Sequence, residues 1–298
     1  MTPTSTVRPA GPLWWDLLVH LRLNFQAILA PIFLWGFLLA QGQWGWRLVV
    51  GFLATHIALY GGITALNSYY DRDEGPVGGL WQPPPWRPAL LPFAWAVQAL
   101  GLLAVLPLGV GMTLTYLAMV ALSVAYSHPA IRLKKYALGA LAVIAVGQGV
   151  LGFLTGWFSA TPSTAGLLTF DHVVAILGIT LATVGLYPLT HIYQVREDAA
   201  RGDVTFAVRW GPNKAFLFAQ ASFSVALLCI AWTLARRFSL AEAGLVALFY
   251  AVILADIERW RRRFDPAAVY ANYSHVMRLS YIVAAAFAAY VAWKLLAG

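Results

Sequence analysis

Of 298 residues, 60% are hydrophobic and only 11% charged, with a mean hydropathy of +0.70, which leaves too little polar side chain to coat a water-soluble body of this size. The formal net charge of +8 comes without any aromatic-interleaved basic module, which argues against nucleic acid as a partner. The one cysteine, Cys229, lies in an apolar stretch, so an intrachain disulfide is excluded and neither a thiol metal site nor redox chemistry is suggested. The composition predicts an all-α, polytopic bundle in membrane lipid.

In chain order, charge and Pro/Gly breaks divide the sequence into nine helices of about 20 residues, the length that crosses a bilayer core. They are expected near residues 17–40, 47–70, 89–107, 110–127, 137–158, 172–194, 213–235, 240–258 and 274–296. The first run, which includes Phe25 to Ala40, is read as a span rather than a signal peptide, because no small-residue cleavage site follows it and equivalent runs recur. The third and fourth spans come from one charge-free run, split at Pro107-Leu-Gly-Val-Gly111 where a turn can join antiparallel helices. Residues 1–298 are taken as a single transmembrane domain around a central cavity.

Of the 20 Lys and Arg, only Arg47, Arg236, Arg237 and Lys294 fall on the face opposite the N-terminal tail. The other face carries the rest, Arg8 included, so the positive-inside rule predicts a multi-pass cell-membrane protein with the N-terminus cytoplasmic. The charge excess then reflects topology and attraction to anionic membrane lipid.

Six of the twelve carboxylates lie in two places, Asn67-Ser-Tyr-Tyr-Asp71-Arg-Asp73-Glu74 and Gln194-Val-Arg-Glu197-Asp198 followed by Asp203. Both fall at the predicted cytoplasmic ends of helices, the second and the sixth, which hints at an internal repeat. Asn67, Asp71 and Glu74 share one face while the helix lasts, and Gln194, Glu197 and Asp198 make a similar stripe. Each stripe offers oxygen ligands to a cation, and Mg²⁺ favours one or two carboxylates completed by water and phosphate oxygens, which two facing stripes would supply around a shared diphosphate. Arg72, Arg132, Lys134 and Arg201 are the cations expected to take the remaining phosphate charge. The alternative is that the acids are solvated helix ends.

These residues resemble the UbiA superfamily of intramembrane prenyltransferases. The family's N-x-x-x-D-x-x-x-D motif is similar to the segment from Asn67 through Asp71, and its D-x-x-x-D motif to Gln194 through Asp198. Tyr126-Ser-His-Pro-Ala-Ile-Arg132-Leu-Lys134 resembles its Y-S-x-P-x-x-R-x-K segment. Asp198-Ala-Ala-Arg-Gly202-Asp-Val-Thr205-Phe-Ala-Val-Arg209 resembles its D-x-x-x-G-x-x-T-x-A-x-R segment. Two positions depart: the last acid of the first motif falls on Gly75, with Asp73 or Glu74 as substitutes, and the first acid of the second falls on Gln194.

The resemblance implies a Mg²⁺-dependent enzyme acting on an isoprenyl diphosphate in the geranyl to geranylgeranyl range, with prenyl transfer to a lipophilic, aromatic or quinone-like acceptor. Asp71 and Asp198 are the expected catalytic carboxylates, and Asn67, Asp71, Asp73, Glu74, Gln194, Glu197 and Asp198 the expected metal ligands. Asn67, Arg22, Arg72, Arg132, Lys134 and Arg201 are expected on the diphosphate. A carbocation in an apolar chamber needs aromatic faces, for which Tyr69, Tyr70, Trp157, Tyr187 and Tyr193, expected near the cytoplasmic half, are candidates. Loops 71–88 and 195–212 would cap the site. Two other readings stand beside this: a UbiA-type terpene cyclase, in which the cation is attacked by its own chain, and a non-enzymatic transporter or lipid-binding scaffold. His56 and His191 are read as hydrogen-bond partners between helices rather than as ligands.

Overall fold

The computed structural model describes residues 9–297, so Arg8 lies outside the described residues. Among them are nine helices long and apolar enough to cross a membrane: Leu13–Leu39, Trp46–Asp71, Leu90–Leu108, Val110–Ser127, Ala137–Ala160, Phe170–Leu189, Pro212–Arg237, Leu240–Arg262 and Val269–Leu296. Beyond two isolated bridges, Val77 with Leu80 and Tyr136 with Val204, the described residues contain no strand. The chain is an all-helical, multi-pass membrane protein. The expected spans are present, the third and fourth divided at Gly109, whose φ of 112° supplies a turn that other residues rarely adopt.

The sixth span is shorter than expected. Its helix ends at Leu189, one residue after Pro188, and a separate short helix, Val195–Ala200, carries Glu197 and Asp198. Gln194 is the residue that precedes this short helix. The expected stripe at the end of span six is therefore corrected, because the chain turns between residues 190 and 194 and restarts. Likewise Glu74 leaves the stripe of Asn67 and Asp71, because span two stops at Asp71 with Arg72 in the left-handed region.

The chain groups into two compact units. The first takes in the chain up to Leu133, Leu154–Pro162 and the segment from Ser280 onward; the second is Lys134–Phe153 with Ser163–Leu279. In the first unit, the hydrophobic core around Leu21, Ala65, Leu66, Leu90 and Ala94 packs the foot of span one against spans two and three. Small residues allow closer helix approach than lipid-facing side chains would, as membrane helices require in the absence of a hydrophobic driving force between them. Gly156 lies directly against the Phe33 carbonyl, and Gly51 against Ser159. Arg47 fastens the far ends of this unit, donating from Nε to the Ser159 carbonyl at 3.1 Å and from Nη2 to the carbonyls of Phe158 at 2.9 Å and Leu108 at 3.0 Å. It thus satisfies backbone acceptors that helix ends leave open.

In the second unit, spans six and seven approach through glycine: Gly178 faces Cys229 and Ile230, and Gly185 faces Ala219 and Ser222. Span five contains a π-helical turn at Ile144–Leu151, and span two one at Ala54–Tyr60 in the first unit. Such turns widen a helix locally and shift the face that the following residues present.

Gly156→Ala places a methyl group on backbone that cannot yield. It is expected to destabilise the protein by about 3 kcal/mol, whereas Gly244→Ala, with nothing within 4 Å of the new Cβ, should be neutral or stabilising. Thermal unfolding of both variants in detergent checks the pair.

Candidate functional site

Each unit places one acidic cluster beside cations. In the first unit, span two turns its last two turns in two directions. Asn67 and Asp71 face span four and the segment after it: Asn67 Nδ2 donates to Ser127 Oγ at 3.2 Å, and Arg132 Nη1 lies 3.4 Å from Asp71 Oδ1. Ser68 and Asp73 face span one instead. Arg22 Nη2 donates to Ser68 Oγ at 2.8 Å and lies 3.8 Å from Asp73 Oδ2, with both ion-pair side chains 5% exposed. Asp73 therefore stands apart from the Asn67 and Asp71 face, engaged with Arg22.

Arg22, Arg72 and Arg132 share a backbone feature that the sequence did not announce. Their φ angles are 48°, 53° and 43°, and the fourth non-glycine residue of this kind among the described residues is Gln41. A left-handed conformation in an L-residue with a long side chain costs about 1–2 kcal/mol and tends to persist where the surroundings require the side chain in place. Each of these arginines ends or begins a helical piece, where glycine would fit without strain. Arg72 lays its guanidinium over the Trp86 ring at 4.3 Å, while Trp86 Nε1 donates to the Tyr69 carbonyl at 3.0 Å.

Between the foot of span one and this loop lies a small cleft lined by His20, Ser68, Arg72, Asp73, Pro83, Pro84 and Trp86. Its roof is the proline segment after span two, stitched down where Asn24 Nδ2 donates to the Gly79 carbonyl at 2.8 Å. Asp16, fully buried in the short helix Leu13–Val19, is held by Arg87 at 3.1 Å and by the Gly11 amide at 3.2 Å.

In the second unit, Asp198 is 2% exposed and is the hub of its cluster. Arg201 Nη2 donates to Oδ1 at 2.9 Å, Thr205 Oγ1 donates to Oδ2 at 3.2 Å, and His191 Nδ1 lies 3.5 Å from Oδ2. The Asp203 amide donates to the Asp198 carbonyl at 2.9 Å, fixing the loop. Arg201 also reaches Glu197 Oε1 at 3.3 Å and Asp203 Oδ2 at 3.8 Å, so it serves three carboxylates of its own segment. Burial disfavours a charged Asp198, but the His191 and Arg201 contacts outweigh it and hold the pKa below the ordinary carboxylate value. Gln194 is buried, and the Val204 amide donates to the Lys135 carbonyl at 2.9 Å, which ties the loop to the start of span five beside buried Lys134.

The aromatic candidates separate. Tyr69 packs on Trp86 and Tyr70 within the core at the foot of span one. Tyr187 lies against His191, and Tyr193 meets Tyr273 edge to face. Trp157 is buried three residues from Ala160, at the end of span five remote from Lys134. This corrects its expected position near the head-group end.

No three His, Cys, Asp or Glu side chains among the described residues form a ready-made metal cage. The donor set is nevertheless one that Mg²⁺ uses, a carboxylate with an amide oxygen on one helix face, leaving most coordination positions to water and phosphate.

The family model for the UbiA prenyltransferase family matches residues 29–282. The chain belongs to this family. It is thus a prenyltransferase-type membrane enzyme by descent. Among solved structures, a UbiA homologue from Archaeoglobus fulgidus described as bound to GPP and Mg²⁺ is similar at a TM-score of 0.66 and 16% identity, covering 91% of this chain and 99% of that one. The same homologue bound to DMAPP and Mg²⁺ gives 0.62 and 17%, with 91% and 99% coverage. A structure concerned with digeranylgeranylglyceryl phosphate synthase gives 0.62 and 15%, with 92% and 96% coverage. These likenesses are to the fold. No match is found among curated proteins.

Several residues of the two clusters were not singled out by sequence reasoning. Thr205 lay in plain view inside the motif that begins at Asp198, but its bond back to that carboxylate depends on the turn at Gly202, whose φ is 75°. Ser68, Ser127, Trp86 and His20 carry no spacing signal, because their partners are 17 to 60 residues away or belong to another span.

Two outcomes follow. Arg72→Gly should be more stable than Arg72→Ala by about 1 kcal/mol, since both lose the Trp86 contact but only glycine relieves the left-handed strain; thermal unfolding of the two variants measures it. Asp198, with its folded pKa depressed, stabilises the fold above the unfolded carboxylate pKa of about 3.9. Its advantage over Asp198→Asn should be full at neutral pH and shrink as pH falls through that value and below, measured by thermal unfolding across pH.

Proposed function

We propose that this chain ionises an isoprenyl diphosphate in a Mg²⁺-dependent reaction and transfers the prenyl group to a lipophilic, aromatic or quinone-like acceptor. Asp71 and Asp198 are the principal metal-binding carboxylates in this reading, with Asn67, Glu74, Gln194 and Glu197 as further oxygen donors. Asp73 serves the site chiefly by holding Arg22. Bound Mg²⁺ supplies charge neutralisation to the departing diphosphate. Arg22, Arg72, Arg132 and Lys134 orient the phosphate oxygens, and Arg201 keeps the Asp198 loop in shape. Segments 71–88 and 195–212 carry this head-group chemistry, and Tyr69, Tyr70, Tyr187 and Tyr193 offer aromatic faces that shield a carbocation from water.

The observation that carries the reading is that Asp71, the last residue of an apolar span, and the buried Asp198, in the short helix that follows another, each pair with an arginine. It occurs in a family where a homologue of the same fold is described as bound to GPP and Mg²⁺. The distribution of Lys and Arg supports a cell-membrane location with these ends cytoplasmic.

Purified protein incubated with Mg²⁺ and geranyl, farnesyl or geranylgeranyl diphosphate tests it. Asp71→Ala and Asp198→Ala should each lower diphosphate release at least about 100-fold while the protein stays folded by thermal unfolding. Full activity in both variants removes the assignment. Diphosphate release that requires an added aromatic acceptor supports transfer, and a cyclic terpene from donor alone would replace transfer by cyclisation.

A further inference from the structure

Within the second unit, Arg201 stands where three carboxylates of one segment converge on a single positive charge. It donates from Nη2 to Asp198 Oδ1 at 2.9 Å and from Nη1 to Glu197 Oε1 at 3.3 Å, and its Nε lies 3.8 Å from Asp203 Oδ2. The second oxygen of Asp198, Oδ2, accepts from the Thr205 hydroxyl at 3.2 Å and has His191 Nδ1 at 3.5 Å. A dication ligated by Asp198 would share this carboxylate with the guanidinium and stand beside a like charge, so each weakens the hold of the other.

The arginine is placed to yield and the carboxylate is placed to stay. The Asp198 side chain is 3% exposed and that of Arg201 25%, so the guanidinium forms the outer side of the cluster and can turn outward without opening buried packing. Arg201 follows the last turn of the helix Val195–Ala200, and the next residue, Gly202, has a φ of 75° and open space around it. Asp198 keeps its direction when Arg201 leaves, because the Thr205 hydroxyl holds its side chain and the Asp203 amide, at 2.9 Å, holds its carbonyl. The planar fork that matches a carboxylate also matches phosphate. A displaced guanidinium therefore gains a new acceptor only when the metal arrives together with a phosphate group.

We infer that Arg201 is a displaceable counterion: it neutralises Glu197, Asp198 and Asp203 in the metal-free segment, competes with Mg²⁺ for Asp198, and passes to the diphosphate oxygens when metal and diphosphate bind together. The inference rests on the metal-binding reading of Asp198 above. Its consequence is that this segment takes bare metal weakly and the metal–diphosphate pair strongly. Charge then enters the edge of the bundle already balanced, and the segment is not left holding a metal without substrate.

The test uses Mn²⁺ in place of Mg²⁺ and the full chain in detergent carrying Asp71→Asn, so that the second segment reports. Affinity for Mn²⁺ alone is read from the EPR signal of free Mn²⁺. Affinity for the Mn²⁺–pyrophosphate pair is read by equilibrium dialysis of ³²P-pyrophosphate in excess Mn²⁺. Adding Arg201→Gln should tighten Mn²⁺ alone about tenfold and weaken the pair about tenfold, with Arg201→Ala giving the same two changes should the glutamine variant not fold. A purely structural role for Arg201 would weaken both. Mn²⁺ affinity unchanged or lowered in a variant that stays folded by thermal unfolding overturns the proposal, and so does a pair affinity that does not fall. Adding Asp198→Asn to the Asp71→Asn chain should abolish Mn²⁺ binding. Binding that survives this change, or that is absent from every protein with and without pyrophosphate, refutes the metal-binding reading of Asp198 itself and the proposal with it.

Discussion

An ionised carboxylate at the edge of an apolar helix bundle must find compensation close at hand, because low dielectric makes an isolated charge costly and a paired one tolerable. The described site residues follow this constraint. Asp71 is met by Arg132, Asp73 by Arg22, Asp16 by Arg87, and Asp198 by Arg201 with His191 and Thr205. Three of the arginines concerned with the first acidic segment hold left-handed backbone that glycine would occupy with less strain. The chain accepts that strain to aim guanidinium groups at one end of an otherwise greasy body. A bundle optimised for stability alone would place smaller or more flexible residues at those turns.

The same constraint explains why the two acidic segments differ in build. Asp71 is the last residue of a long helix, so its direction is set by the helix and by the Asn67 one turn before it. Asp198 stands in a six-residue helix after a break, and its direction is set by contacts within its own loop: the Thr205 hydroxyl, the Asp203 amide and the Arg201 fork. The internal repeat suggested by the sequence is one of position along the chain, not of local conformation. Gln194 belongs to this second solution, because a residue at a helix start need not carry charge for its backbone to begin the turn.

What the sequence by itself determined is the class and the inventory. Nine spans are legible because hydrocarbon 30 Å thick requires about 20 apolar residues per helix, and charge is excluded from them so strongly that its reappearance marks their ends. The two acidic segments stood out for the same reason, since six of twelve carboxylates in two places are hard to overlook in so apolar a chain. Only the tertiary structure decided which way each side chain faces. The helix after Pro188 had to stop before it could be known that Glu197 and Asp198 start a new one. Asp73 had to be seen on the side of Arg22. Pairings such as Arg22 with Ser68, 46 residues apart, and the burial of His20 depend on how spans one and two pack, a long-range consequence of helix contact that no local spacing encodes.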